Sequence, residues 1–95
     1  MTYARTDNNH IEIVDALRRV GAQVQSLAGV GHGCPDLLVA FRGEWFVLEV
    51  KDGTKPASHR KLTQPEARWH EQFGDYASVF TVTSTDDALG AIGAA

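Results

Sequence analysis

Two short apolar segments, Leu37-Leu-Val-Ala-Phe41 and Trp45-Phe-Val-Leu-Glu-Val50, are separated by so little chain that they read as a β-hairpin closed by a tight turn around Arg42-Gly43. Side chains alternate along a strand, and here both alternating sets are apolar. Leu38, Ala40, Trp45 and Val47 share one face; Leu37, Val39, Phe41, Phe46, Leu48 and Val50 share the other. A sheet that is apolar on both faces is expected to be covered on both.

The flanking segments supply the cover. Asp7 or Asn8 can cap a helix running to about Val20, with Ile11, Val14, Leu17 and Val20 recurring at helical spacing and Gly21 ending it. Gln23-Val-Gln-Ser-Leu27 alternates like a strand. Ala28 to Cys34 is a glycine-rich loop whose glycines let backbone approach a ligand closely, but it lacks the Gly-Lys-Ser/Thr ending of a P-loop. Asp52 to Lys61 reads as a polar, reaching loop. Thr63 or Gln64 then starts a second helix, with Pro65 suited to its first turn and Ala67, Trp69, His70 and Phe73 supplying contacts. Ser78 to Thr83 is a further strand, and Ser84 or Thr85 caps a last helix from Asp86 to about Ile92. This order predicts an α/β sandwich around a mixed sheet. Ninety-five residues, 43% of them hydrophobic, are expected to form one domain spanning 1–95.

The same hairpin carries charge where charge is costly. If it centres on Arg42-Gly43, Asp36 lies opposite Glu49, and alternation places Lys51 on their face. Charges embedded in a covered strand are expensive unless paired or coordinating something. Two neighbouring carboxylates repel unless a cation sits between them, and an all-oxygen site suits a hard divalent ion such as Mg²⁺ or Mn²⁺. The alternative use of these residues is structural, with Asp36 capping its strand and Glu49 pairing with Lys51.

Composition narrows the classes further. The lone Cys34 cannot form an internal disulfide, and with the scattered His10, His32, His59 and His70 it does not make a zinc spacing, so Cys34 is expected to be a small packed residue. No apolar run is long enough to span a bilayer and no signal-peptide pattern is present, which leads us to expect a cytoplasmic protein. A net charge of −3 speaks against a phosphate-binding surface. Local distribution outweighs the sum, however: Lys55, Arg60, Lys61 and Arg68 cluster just after the charged strand, and Arg5, Arg18 and Arg19 lie on the first segment. A merely solvated surface would group charges in the same way.

Four segments together, Gly33-Cys-Pro-Asp-Leu-Leu38, Glu49-Val-Lys-Asp-Gly53, Lys61-Leu-Thr63 followed by Glu66 and Trp69, and Asp86-Asp-Ala-Leu89, resemble the PD-(D/E)xK nuclease superfamily. More narrowly they resemble the small stand-alone VRR-NUC domain proteins of phages and bacteria, over nearly the whole chain from Asn9 to Gly93. The resemblance implies a restriction-endonuclease-like three-layer α/β/α core with a central mixed β-sheet. It implies Asp36 and Glu49 as metal-binding acids, Lys51 as the catalytic lysine, the Val50 backbone carbonyl as a further ligand and Glu12 as an additional acid, where the residues alone suggest an exposed helix glutamate. Gln64 and Glu66 would touch substrate or metal-bound water, or simply cap their helix, while Lys55, Arg60 and Lys61 would hold the DNA backbone. The implied activity is Mg²⁺- or Mn²⁺-dependent hydrolysis of phosphodiester bonds in branched DNA, with a homodimer resolving four-way (Holliday) junctions in a bacterial cell or phage-infected host. Trp69, Phe73 and Tyr76 would serve the dimer interface or the core. Other structure-specific or exonucleolytic cleavage, a catalytically inactive nucleic-acid-binding module and a metal-free interaction protein are the alternatives. Nothing resembles an appended specificity domain, which counts against sequence-specific cutting.

Overall fold

The computed structural model describes residues 8–94. In chain order the elements are α1 (His10–Arg19), β1 (Gln23–Ser26), β2 (Leu37–Phe41), β3 (Glu44–Val50), α2 (Ala57–Arg60), α3 (Gln64–Phe73), β4 (Val79–Val82) and α4 (Thr85–Ala91). The strands form one mixed sheet in the order β1-β2-β3-β4, with the first two pairings antiparallel and the last parallel.

The hairpin has the expected register. Phe41 pairs with Glu44, so Arg42 and Gly43 alone form the loop, both with positive φ (51° and 82°), as a type I′ turn requires. From there the ladder runs to Leu37 opposite Leu48, which brings Asp36 opposite Glu49. The parallel partner β4 needs a crossover, and α2 and α3 lie within it.

On one face of the sheet, Leu37, Val39, Phe46, Leu48, Val50 and Val82 bury against Ile13 and Leu17 of α1 and Ala88 of α4. The apolar stripe expected on α1 is rotated. Ile13, Ala16 and Leu17 are its buried residues, whereas Ile11 is 72% exposed and Val20 lies beyond the helix end. The cause is that α1 lies against α4 as well as β1, so two neighbours rather than one set its buried line. Its start also differs from expectation. Asn9 occupies the cap position without a side-chain cap bond, and instead donates from Nδ2 to the carbonyls of Lys51 (3.1 Å) and Thr83 (3.0 Å), stitching the helix start to the ends of β3 and β4. Asp7, one of the two expected caps, and Arg5 lie outside the described residues.

The opposite face is covered only in part, contrary to the expectation from its apolar composition. Leu38, Ala40 and Val47 are half-buried and Trp45 is 66% exposed. Cover reaches this face where β3 ends, because α3 is tethered there by polar contacts, and no residue of α3 is fully buried. Thr63 caps α3 through a complete capping box with Glu66, and Pro65 sits in the first turn. The polar segment between β3 and α3 is not all loop, since Ala57–Arg60 makes one helical turn. Among the described residues no helix is long and apolar enough to cross a membrane.

Candidate active site

Four consecutive residues, the last three of β3 and Lys51 just after it, set the site. Leu48 and Val50 point into the core, so Glu49 and Lys51 must emerge on the other face, where both are nonetheless buried, at 2% and 8% exposure. Asp36, reached through the buried Pro35, enters the same face from β2 and accepts the Val50 N–H at 2.7 Å through Oδ2. Lys51 donates its own N–H to Val82 across the parallel pairing, so Val50 faces the β2 side, with its carbonyl pointing the same way as its N–H.

The Lys51 ammonium lies 4.0 Å from Glu49 Oε2 but only 2.9 Å from Glu66 Oε1. Glu66 Oε1 also accepts the Thr63 N–H at 2.8 Å, so one oxygen closes the capping box of α3 and holds the lysine. Both readings of the sequence are thus present in part: Asp36 does cap the strand end, but Lys51 gives its short contact to Glu66 rather than to Glu49. Glu49 Oε1 is buried with no hydrogen-bond partner.

Electrostatics follow from this crowding. Burial, then the adjacent carboxyl of Asp36 and its charge, then the charge of Glu66, push the Glu49 carboxyl up to about 9 against the opposing pull of Lys51. Burial alone would raise Glu66, but hydrogen bonds from the Thr63 N–H and the Lys51 ammonium hold it below the usual carboxylate range. The Cys34 thiol is half-buried beside the same acids and is raised by burial and by the charges of Glu49 and Asp36. His70, one turn after Glu66, is lowered by burial, with Glu66 and Lys51 pulling in opposite directions, and its Nε2 is buried without a partner. Asp52 is held low by the Thr54 hydroxyl and N–H, which both donate to Oδ1.

The donor set fits a hard cation. A buried carboxylate oxygen with no partner, a second carboxylate beside it and a strand carbonyl on the same side are oxygen donors, the kind that Mg²⁺ and Mn²⁺ prefer. Among the described residues no three His, Cys, Asp or Glu side chains are grouped to enclose an ion. Mg²⁺ is ordinarily held by one or two carboxylates, waters and substrate phosphates rather than by a full protein cage, so two acids suffice. Glu12 is exposed in the first turn of α1, and the charges that act on Glu49 are those of Asp36, Glu66 and Lys51.

The structure therefore brings Asp36, Glu49, Val50, Lys51 and Glu66 together. Gln64 is exposed at the start of α3, Arg60 is exposed in α2, Lys61 follows it at the surface and Lys55 is half-buried in the connecting turn. Sequence reasoning missed Cys34 and His70 as neighbours of the acids. His70 was legible in principle, because residues four apart share a helix face and Glu66 was already marked.

No family model matches the chain, and no curated protein matches it. A solved structure described as "VRR_NUC domain" superposes with a TM-score of 0.61 at 32% sequence identity, covering 90% of this chain and 95% of that one. With that identity over nearly the full length of both chains, and with the paired acids and lysine on the sheet end where the hairpin register puts them, the chain belongs to the VRR-NUC domain family, a family of nuclease domains.

Proposed function

We propose that this nuclease-family domain is a divalent-metal-dependent endodeoxyribonuclease that hydrolyses phosphodiester bonds in branched DNA. The observation that carries the reading is the convergence of Asp36, Glu49 and Lys51 on one face of the sheet end, with Glu49 Oε1 buried and unpartnered. Asp36, Glu49 and the Val50 carbonyl would hold the ion, with Glu12 as the further acid. When bound, Mg²⁺ or Mn²⁺ supplies an activated water and charge neutralisation at the leaving oxygen.

The chain's own groups do the rest. Lys51 presents a compact charge that stabilises the negative charge developing on the phosphate, and its buried position keeps that charge unscreened. Glu66 fixes the ammonium from α3, so the lysine is already oriented before substrate arrives. Lys55, Arg60 and Lys61 would grip the DNA backbone beyond the cleaved bond, and Gln64 would add a neutral contact. Net acidity is no obstacle, because two of the acids face the ion rather than the DNA.

A surface this small grips a branched substrate best as a two-fold dimer with two metal sites, the arrangement suited to a four-way junction in the cytoplasm of a bacterial cell or phage-infected host. Tyr76, at 88% exposure, and the exposed Phe73 favour an interface around the end of α3. Light scattering that finds a monomer at working concentration removes the dimer.

The decisive test is cleavage of a synthetic four-way junction, compared with flaps and plain duplex, in Mg²⁺. Asp36→Ala and Lys51→Ala should abolish cutting while the circular dichroism spectrum stays native. Cleavage retained by purified Asp36→Ala would overturn the assignment.

A further inference from the structure

Gly33, at φ +78°, packs so tightly on the start of α3 that a side chain there would overlap the Pro65 carbonyl. This contact clamps the glycine-rich loop against α3 and leaves a cavity of about 360 Å³ beside it, lined by His32, Pro65, Arg68, Trp69 and Gln72. The Trp69 ring stacks on Phe73 with centroids 4.4 Å apart and meets His70 at its edge, which fixes the indole plane while it still forms a wall of the cavity. Since α3 buries no residue fully, the fold does not require an indole at this position for its core.

A fixed aromatic wall, a guanidinium, an imidazole and a carboxamide are the groups that take up a single nucleotide: stacking for the base, charge for the phosphate and an amide for the base edge. Location strengthens the assignment. Gly33 is three residues before Asp36, a span of at most about 10 Å, and Pro65 is bonded to Glu66, which holds Lys51. Both walls of the cavity thus belong to the elements that carry the candidate catalytic groups.

We propose that this cavity is a subsite for one unpaired nucleotide of the substrate strand, its base stacked on Trp69 and held by Arg68, Gln72 and His32. The inference rests on the nuclease reading of the Asp36 centre, and explains why a branched substrate would be chosen. A base inside a duplex is stacked on both sides, whereas one at a branch point is extruded at least cost.

The chain has two tryptophans, so Trp45→Phe leaves Trp69 as the sole tryptophan, whose emission is read apart from that of the tyrosines. In chelator, where the cleavage step is idle, pentathymidylate should quench its fluorescence saturably, and a blunt duplex should bind much more weakly. Arg68→Ala and Gln72→Ala, both at exposed positions, should weaken the pentathymidylate Kd by about fivefold or more, with Trp69→Phe in otherwise wild-type protein weakening binding measured by anisotropy. Absence of quenching, equal affinity for blunt duplex, or a Kd unchanged by Arg68→Ala overturns the subsite. A protein that cuts junctions without such quenching loses the subsite alone; one that shows the quenching but never cuts with any divalent metal keeps it and loses the nuclease reading.

Discussion

Lys51 donates to Glu66 Oε1 at 2.9 Å, joining the end of the third strand to the first turn of the third helix. The same oxygen closes the helix cap with Thr63. Glutamine can still accept at that position but carries no charge to hold the ammonium. Glu66→Gln should therefore retain most of the thermal stability while lowering cleavage by about 10- to 100-fold, the usual effect of removing a partner that orients a site group. Thr63→Ala is the control: it should cost about 1 kcal/mol of cap stability, roughly 4–8 °C in Tm, with a smaller loss of rate. Equal rates for Glu66→Gln and wild type would show that Lys51 needs no orientation from α3.

The Asp36–Glu49 pair makes the metal-free protein sensitive to alkali. Glu49 titrates near 4.5 in the unfolded chain and at about 9 in the fold, so folding takes up a proton between those values. Stability is then greatest below about pH 4.5 as far as this group is concerned, and falls as pH rises toward 9. In chelator, the Tm of wild type should decline between about pH 5 and 9 more steeply than that of Glu49→Gln, which has no proton to lose. Mn²⁺ should restore Tm most at the alkaline end, where the deprotonated pair repels itself. Parallel Tm curves for wild type and Glu49→Gln would contradict the buried-pair account.

How much of this was legible in the sequence depends on how local each determinant is. Arg42-Gly43 fixes the hairpin register through a two-residue turn, so the meeting of Asp36 with Glu49 could be read from spacing alone. The caps at Thr63 and Ser84 were equally local, each depending on a residue three positions away. The buried line of α1 was not, because it answers to α4, some seventy residues later in the chain, as well as to the sheet. Trp45 looked like a covered residue because alternation reports which side a residue faces and says nothing of what lies above it. Glu66 carried two roles on one atom, and only the helix cap left a mark in the sequence.

Asn9 illustrates a determinant hidden by a plausible local role. Its Nδ2 bridges the carbonyls of Lys51 and Thr83 at the sheet end instead of capping α1. Asn9→Ala removes two half-buried hydrogen bonds, each worth about 0.5–1.5 kcal/mol, and should lower Tm by roughly 4–24 °C. Asn9→Ser or Asn9→Asp would rescue a simple cap but cannot donate twice, so both should stay close to alanine. Recovery of wild-type Tm by Asn9→Ser would reassign the residue to capping.

The glycine-rich loop offers a comparison in which only packing differs. Gly31 and Gly33 both have positive φ (74° and 78°), but space is open around Gly31, while a side chain on Gly33 meets the Pro65 backbone. Gly31→Ala should cost only the backbone term, about 1 kcal/mol or roughly 4–8 °C in Tm. Gly33→Ala adds a collision with backbone that cannot rotate away, so the loop must lift from α3. Because Asp36 follows three residues later and Glu66 sits next to Pro65, that displacement should separate the acids from Lys51 and depress cleavage well beyond the loss of stability. Melting curves and cleavage rates of the two variants, measured side by side below both Tm values, decide the point: equal rates would mean that the loop and α3 position the site independently.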